Sequence, residues 1–286
     1  MTDVSAARRD PGRRFDPTPI IATVLEGQAA GRATPTGFPS LDARLGGGLR
    51  RGDLVVLAGD TGSGKSALAL AIAIRAAAAG HTSAYLSAEM QVERLLERAI
   101  AIEGRVSIDD LRRGQLDDDA HDSAAAAAMA LRQRSPLLEY LRDRGVAGVS
   151  DFLAEHLGVD LTVVDPLEAL ASGRTALAEE VADAARALKE LAIRRDTTML
   201  AVSHLPRSPR DRSDPRPRLD DLGGLGAIRQ HADVVLGLFR EELYSPDPHI
   251  DGATELHVLK NRNGGGGFVD LYFHKSCMRF EDMVEG

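Results

Sequence analysis

Cysteine, tryptophan and long apolar runs are what this chain lacks. Its one cysteine, Cys277, has no partner for an internal disulfide. No disulfide staples the fold, and a reducing, cytoplasmic setting is expected. Tryptophan is absent and aromatics make up 4% of the residues, so a core must come from Leu, Val, Ile and Ala; the 43% hydrophobic content is enough to build one. No run of apolar residues is long enough to span a bilayer. Arg8, Arg9, Arg13 and Arg14 lie near the start, but the apolar stretch of a signal peptide does not follow. No cluster of Cys and His has metal-ligand spacing. The net charge of −8 argues mildly against nonspecific affinity for nucleic acid.

Against these absences stands one complete motif. Residues 59–66 read Gly59-Asp60-Thr61-Gly62-Ser63-Gly64-Lys65-Ser66, the pattern G-x-x-x-x-G-K-[ST] of a phosphate-binding loop. An apolar run, Leu54 to Ala58, precedes it, and an Ala/Leu/Ile-rich segment, Ala67 to Ala79, follows. Strand, glycine loop and helix are the context the motif needs. Glycines let backbone N–H groups turn inward around phosphates, and the helix N-terminus adds positive potential. The ligand class is therefore a nucleoside triphosphate with Mg²⁺. Lys65 reaches the β- and γ-phosphates in this reading, and the Ser66 hydroxyl holds the metal.

The pattern along the chain is α/β. Residues 1–16 read as a disordered arm, and residues 17–33 as a linker helix opened by Thr18-Pro19 with an apolar stripe of Ile20, Ile21, Val24 and Leu25. Such a short helix must dock on something. The remaining residues, 34–286, form one ATPase domain. Strands are expected at Leu54–Ala58, Ser83–Ser87, Leu161–Asp165, Thr198–Ser203, Val234–Phe239, Glu255–Lys260 and Phe268–Phe273. Helices are expected over Gln91–Glu103, through roughly 107–157, and over Ala176–Arg195. Alternating strands and helices imply a mostly parallel sheet covered on both faces. The late strands, with no helices between them, imply a short antiparallel extension.

Further residues suit triphosphate chemistry. Asp165 ends an apolar strand, the place from which a carboxylate reaches a metal-bound phosphate. Glu89 follows the second strand and can orient and deprotonate water. His204 ends another strand, where a polar side chain can touch the γ-phosphate. Lys260 and Arg262 leave a strand beside the turn Gly264–Gly267, placed to reach into an adjacent subunit and stabilise charge on a transferred phosphoryl group. Residues 206–218 carry five arginines, Arg207, Arg210, Arg212, Arg216 and Arg218, against two aspartates. Four prolines there forbid regular structure. A cationic loop without aromatics suits phosphate-backbone contacts, not base stacking.

Together these residues resemble the C-terminal, RecA-like motor domain of the DnaB-type replicative helicases. The likeness rests on Pro35-Thr36-Gly37-Phe38, the phosphate loop, Ser87-Ala88-Glu89-Met90 and Arg113-Gly114-Gln115-Leu116-Asp117-Asp118. It continues through Val164-Asp165, Leu188 to Ala192, Arg212-x-Asp214-x-Arg216-Pro217, Ala232-Asp233, Phe239 to Glu242 and Lys260-x-Arg262-Asn263-Gly264. It implies a hexameric ring with ATP sites at subunit boundaries. Glu89 would be the catalytic glutamate, Asp165 the Walker B acid, and Lys260 and Arg262 the trans-acting cations. A loop around 206–226 would line a channel and grip single-stranded DNA. A helicase loader or replication proteins would be partners. The family usually has glutamine where His204 stands, and its Arg-Glu-Ser-Gly is replaced here by Gly223-Gly224-Leu225-Gly226. With about 35 residues before the core, the family's primase-binding domain is not expected. Two other readings stay open: a RecA-fold ring ATPase, such as a recombination mediator or clock-type ring, that does not unwind DNA, and a non-catalytic interaction protein.

Overall fold

The computed structural model describes residues 33–283 except 143–144, 172, 174, 206–211, 224–225 and 246–249, together with Ile21. The expected linker helix therefore lies, Ile21 apart, outside the described residues.

Among the described residues, nine strands form one sheet in the order β3-β2-β4-β5-β1-β6-β7-β8-β9. The strands are β1 (Leu54–Gly59), β2 (Ser83–Ser87), β3 (Leu137–Tyr140), β4 (Leu161–Asp165), β5 (Thr198–His204), β6 (Val234–Arg240), β7 (Ala253–Asn261), β8 (Gly267–His274) and β9 (Arg279–Asp282). Strands β1 to β6 run parallel, and β7 to β9 extend the sheet antiparallel. The expected mostly parallel sheet with an antiparallel extension is what forms.

Burial on both faces explains the apolar runs. Along β1, Val55 and Leu57 enter one core and Leu54, Val56 and Ala58 the other. The first core packs under helices α1 (Pro39–Leu45), α2 (Lys65–Ala78) and α3 (Val92–Gly104). The second packs under α6 (Val146–Glu155), α7 (Leu177–Arg195) and the short α8 (Ala227–His231). Helix α2 is nearly all Ala, Leu and Ile because all its sides are covered.

The long helical region expected over roughly 107–157 is instead α4 (Ile108–Arg113), α5 (Asp118–Gln133), strand β3 and α6. Gly114, in the left-handed conformation, ends α4, and Asp117 caps α5 by accepting the Ala120 N–H at 2.8 Å. Pro136 then bars further helix, and β3 pairs at the sheet edge with β2. Strand β9, also not expected, pairs with β8.

The antiparallel extension supports the phosphate loop. Phe280 of β9 is fully buried and stacks on Phe273 at 4.4 Å. A Cβ on Gly64 would sit 2.8 Å from the Phe280 ring, and Gly64 holds φ +98°. Only glycine fits there without strain. Phe280→Ala is expected to cost ~3–5 kcal/mol of stability. A urea midpoint that falls with an unchanged denaturant slope would confirm it; an unshifted midpoint would refute it.

Candidate nucleotide-binding site

In a parallel sheet the loops after the strand C-termini share one edge, and four expected site residues meet there. Gly59, where β1 enters the loop, is level with His204 at the end of β5. Ser87 is level with Asp165, and the Ala88 N–H donates to the Asp165 carbonyl at 2.9 Å. Glu89 follows in a bend with its side chain exposed.

Gly59 tolerates no side chain, because a Cβ would meet Ser63 Oγ at 2.8 Å and the Leu238 carbonyl at 2.9 Å. Lys65 opens α2 and is only 5% exposed, its ammonium donating to the Asp60 carbonyl at 2.8 Å. Burial lowers its pKa, and the negative charges of Asp165, Glu168 and Asp60 oppose that fall. The Thr61 N–H is held by Asp60 Oδ1 at 2.8 Å. Ser63 Oγ is buried without a hydrogen-bond partner among the described residues.

Asp165 is buried, and its Oδ2 accepts the Tyr85 hydroxyl at 2.5 Å. The same hydroxyl lies 3.4 Å from the Ser66 carbonyl. Burial first, then the charge and hydrogen bond of Asp165, push the Tyr85 pKa well above its usual value, so the phenol keeps its proton and donates. The Tyr85 hydroxyl thereby lies between the Ser66 and Asp165 ends of the site, bonded to the second. This fits the two residues expected to share a metal ion, and both belong to the chain's own strand and helix ends.

Arg240, at the end of β6, braces the loop from the other side. Its Nη1 donates to the Gly62 carbonyl at 3.1 Å, its guanidinium lies 4.5 Å from the centre of the Phe273 ring, and it pairs with Glu242. Burial would raise the Glu242 carboxyl, but hydrogen bonds with Lys275, Asp251, Arg240 and the Gly252 N–H outweigh it and hold the pKa at about 2.

Lys260 and Arg262 lie at the opposite sheet edge. Val235 pairs with Lys260 near the start of β6, and the Arg262 N–H donates to the Asp233 carbonyl just before that strand. Arg262 Nη1 pairs with Asp233 at 3.0 Å, and the Lys260 ammonium donates to the carbonyls of Arg229 and Ala232. Asp233 also accepts the Leu54 N–H at 2.8 Å and pairs with Lys189 at 2.6 Å. The two cations are not brought to their own phosphate loop.

The basic segment is only partly described. Arg207, Arg210 and Gly224 lie outside the described residues. Arg212 grips Asp221 with two 2.8 Å bonds, and Arg216 grips Glu255 at 2.6 and 2.8 Å. These two guanidiniums, named as DNA-contact candidates, brace the segment from within the chain. Arg218 is more open, its side chain 58% exposed and 3.9 Å from Asp214. Gly223 leads toward Gly226, which begins α8 with φ +83°.

The chain matches the DnaB-like helicase C terminal domain family over residues 33–282. It belongs to that family. It is 33% identical over 259 residues to the replicative DNA helicase DnaB of Geobacillus stearothermophilus, covering 87% of this chain and 56% of that protein. It is 34% identical over 260 residues to the DnaB helicase of Leifsonia xyli, with the same coverage. The chain thus spans about half the length of these curated relatives. Its fold matches a solved ATPase domain with a TM-score of 0.86 at 24% identity, covering 95% of this chain and all of that one. A DnaB-like replicative helicase solved with reference to its interactions with primase matches with a TM-score of 0.84 at 23% identity, covering 95% and 68% of the two chains. Among the described residues no helix is long and apolar enough to cross a membrane.

Sequence reasoning did not single out Tyr85 or Glu168, and it named Arg240 and Asp233 only within segments carrying the family likeness, with no role. Tyr85 reads as a core residue inside an apolar strand. Glu168 gives one faint signal, a carboxylate three residues past Asp165 where a strand leaves the sheet.

The Glu242 brace predicts a pH signature. Its folded pKa lies below the ordinary carboxyl value, so its contribution to stability is present above about pH 4.5 and is lost as pH falls toward 2. Glu242→Gln is expected to lower Tm at pH 7, with the gap from wild type closing between these limits. A gap independent of pH would contradict the ion-pair brace.

Proposed function

We propose that this chain is the ATP-driven motor of a homo-oligomeric, hexameric ring that translocates on single-stranded DNA and unwinds duplex. The observation that carries the ring is the position of Lys260 and Arg262. Val55 and Gly59 pair with Val234 and Leu238, so the two cations and the loop leave opposite ends of the same strands. Four residues of strand separate those ends by roughly 13 Å at about 3.3 Å per residue, before either loop is counted. An arginine there can complete a phosphate site only in the next subunit.

Within the site the chain's residues divide the work. Backbone N–H groups of Thr61 to Lys65 cradle the phosphates, and the Lys65 ammonium exchanges the Asp60 carbonyl for phosphate oxygens. The Ser66 hydroxyl and the Asp165 carboxylate would hold Mg²⁺, which supplies charge neutralisation of the phosphates. Glu89 orients water and takes its proton, and His204 meets the γ-phosphate. Arg262, with Lys260 beside it, stabilises charge on the neighbour's transferred phosphoryl group. Arg218 and the segment 206–226 supply nonspecific phosphate contacts to the strand. A loader or other replication proteins would bring the ring onto DNA.

The replaced glycines at 223–226 and the internal pairing of Arg212 and Arg216 favour a second reading, a RecA-fold ring ATPase that assembles without unwinding DNA. Oligo-dT stimulation of ATP turnover together with strand separation supports the motor. Turnover indifferent to oligo-dT favours the alternative.

Arg262→Ala is expected to cut turnover by about 10³-fold or more while nucleotide affinity stays within a few-fold. Turnover of mixed wild-type and variant subunits should fall faster than the wild-type fraction. Full-rate hydrolysis by dilute, monomeric protein would overturn the shared-site reading.

A further inference from the structure

Glu168 belongs to the 3-10 turn Leu167–Leu170 that follows Asp165 and Pro166. One oxygen, Oε1, accepts the Ser203 hydroxyl at 2.6 Å and the His204 N–H at 3.0 Å. The other, Oε2, is buried and has no hydrogen-bond partner among the described residues. Its negative charge is nonetheless felt at Lys65, second only to that of Asp165 among the carboxylates there. A buried, unpaired carboxylate oxygen is costly, and native folds keep few of them without a functional reason.

The geometry follows from where β4 stops. Its pairing with β5 ends at Val164 and Ala201, and Pro166 brings no N–H with which to prolong it. The last residues of β5, Ser203 and His204, run past that point toward the phosphate loop. Glu168 takes over, accepting from the strand end that β4 has left. His204 is thereby fixed at the level of Gly59, while Oε2 stays buried and unpaired among the described residues.

We propose that Glu168 is a positioning residue: it sets His204 at the height of a γ-phosphate, so that the site tells a nucleoside triphosphate from a diphosphate. This rests on the reading of Gly59–Ser66 as a triphosphate site.

The test is isothermal titration of the full chain with ADP and with a slowly hydrolysed ATP analogue. Wild type should prefer the triphosphate. Glu168→Gln keeps an acceptor at Oε1 and should hold that preference within about threefold, whereas Glu168→Ala should lose about tenfold or more of it while still binding ADP. His204→Ala should lose a similar amount, and the double variant no more than either single change. An alanine variant whose preference stays within about twofold of wild type, or losses that simply add, would overturn the proposal. If Glu168→Ala binds neither nucleotide, Ser203→Ala decides. It keeps the carboxylate but removes the 2.6 Å bond, and an unchanged preference would sink the idea. Wild-type protein that binds no nucleotide would instead refute the triphosphate site itself, and the proposal with it.

Discussion

A buried ammonium constrains this molecule more than any other group. Lys65 must lie at the first turn of α2 to meet phosphates, and there it is nearly sealed from water. Desolvation of a cation is expensive, and the chain meets it with carboxylates drawn from three separate elements: Asp60 in the loop, Asp165 at the end of β4 and Glu168 in the turn beyond. Cations reach this edge from other elements too: Arg98 interacts with Asp165, and Arg240 reaches the Gly62 carbonyl at 3.1 Å. The Tyr85 hydroxyl, bonded to Asp165, closes the same edge against the Ser66 end of α2.

Strand β1 joins the two halves of that design. At one end it runs into the phosphate loop. At the other, the Leu54 N–H is held by Asp233, which also grips Lys189 and Arg262. A single buried carboxylate therefore fixes both the start of the central strand and the orientation of Arg262. Burial, and repulsion from Asp233, raise the pKa of nearby Asp53. Its hydrogen bond from Asn263 at 2.7 Å ties the turn after Arg262 to the same cluster. The start of β1 and Arg262 are linked through this one carboxylate, Asp233, by the Leu54 N–H bond on one side and the Arg262 ion pair on the other.

Much of this was legible in the residues because local chemistry dictated it. The phosphate loop needs glycines where backbone must approach backbone, as at Gly59, and a left-handed residue at Gly64. Apolar runs buried on both faces can only be central strands, so β1, β2, β4, β5 and β6 stood out, and Asp165, Glu89 and His204 were placed by the strands they end. The edge strands β3 and β9 were hidden for the opposite reason. Each has four residues, mixed in polarity and paired on one side, so neither periodicity nor an apolar run marks it. Arg212 and Arg216 show a deeper limit. Charge and proline content identified a cationic segment, but the partners Asp221 and Glu255 lie on other elements, and composition does not reveal which cations are already matched.

Those matched arginines shape how the segment can work. Arg216 is clamped to Glu255, and its guanidinium lies 5.1 Å from the centre of the Phe239 ring. Arg212 is clamped to Asp221, whose Oδ2 also accepts the Arg218 N–H. Residues 212–221 are thus bolted to β6 and β7, the strands that carry Arg240 and Lys260. The two ion pairs fix this part of the segment against the sheet and leave the Arg218 side chain, 58% exposed, on a braced turn.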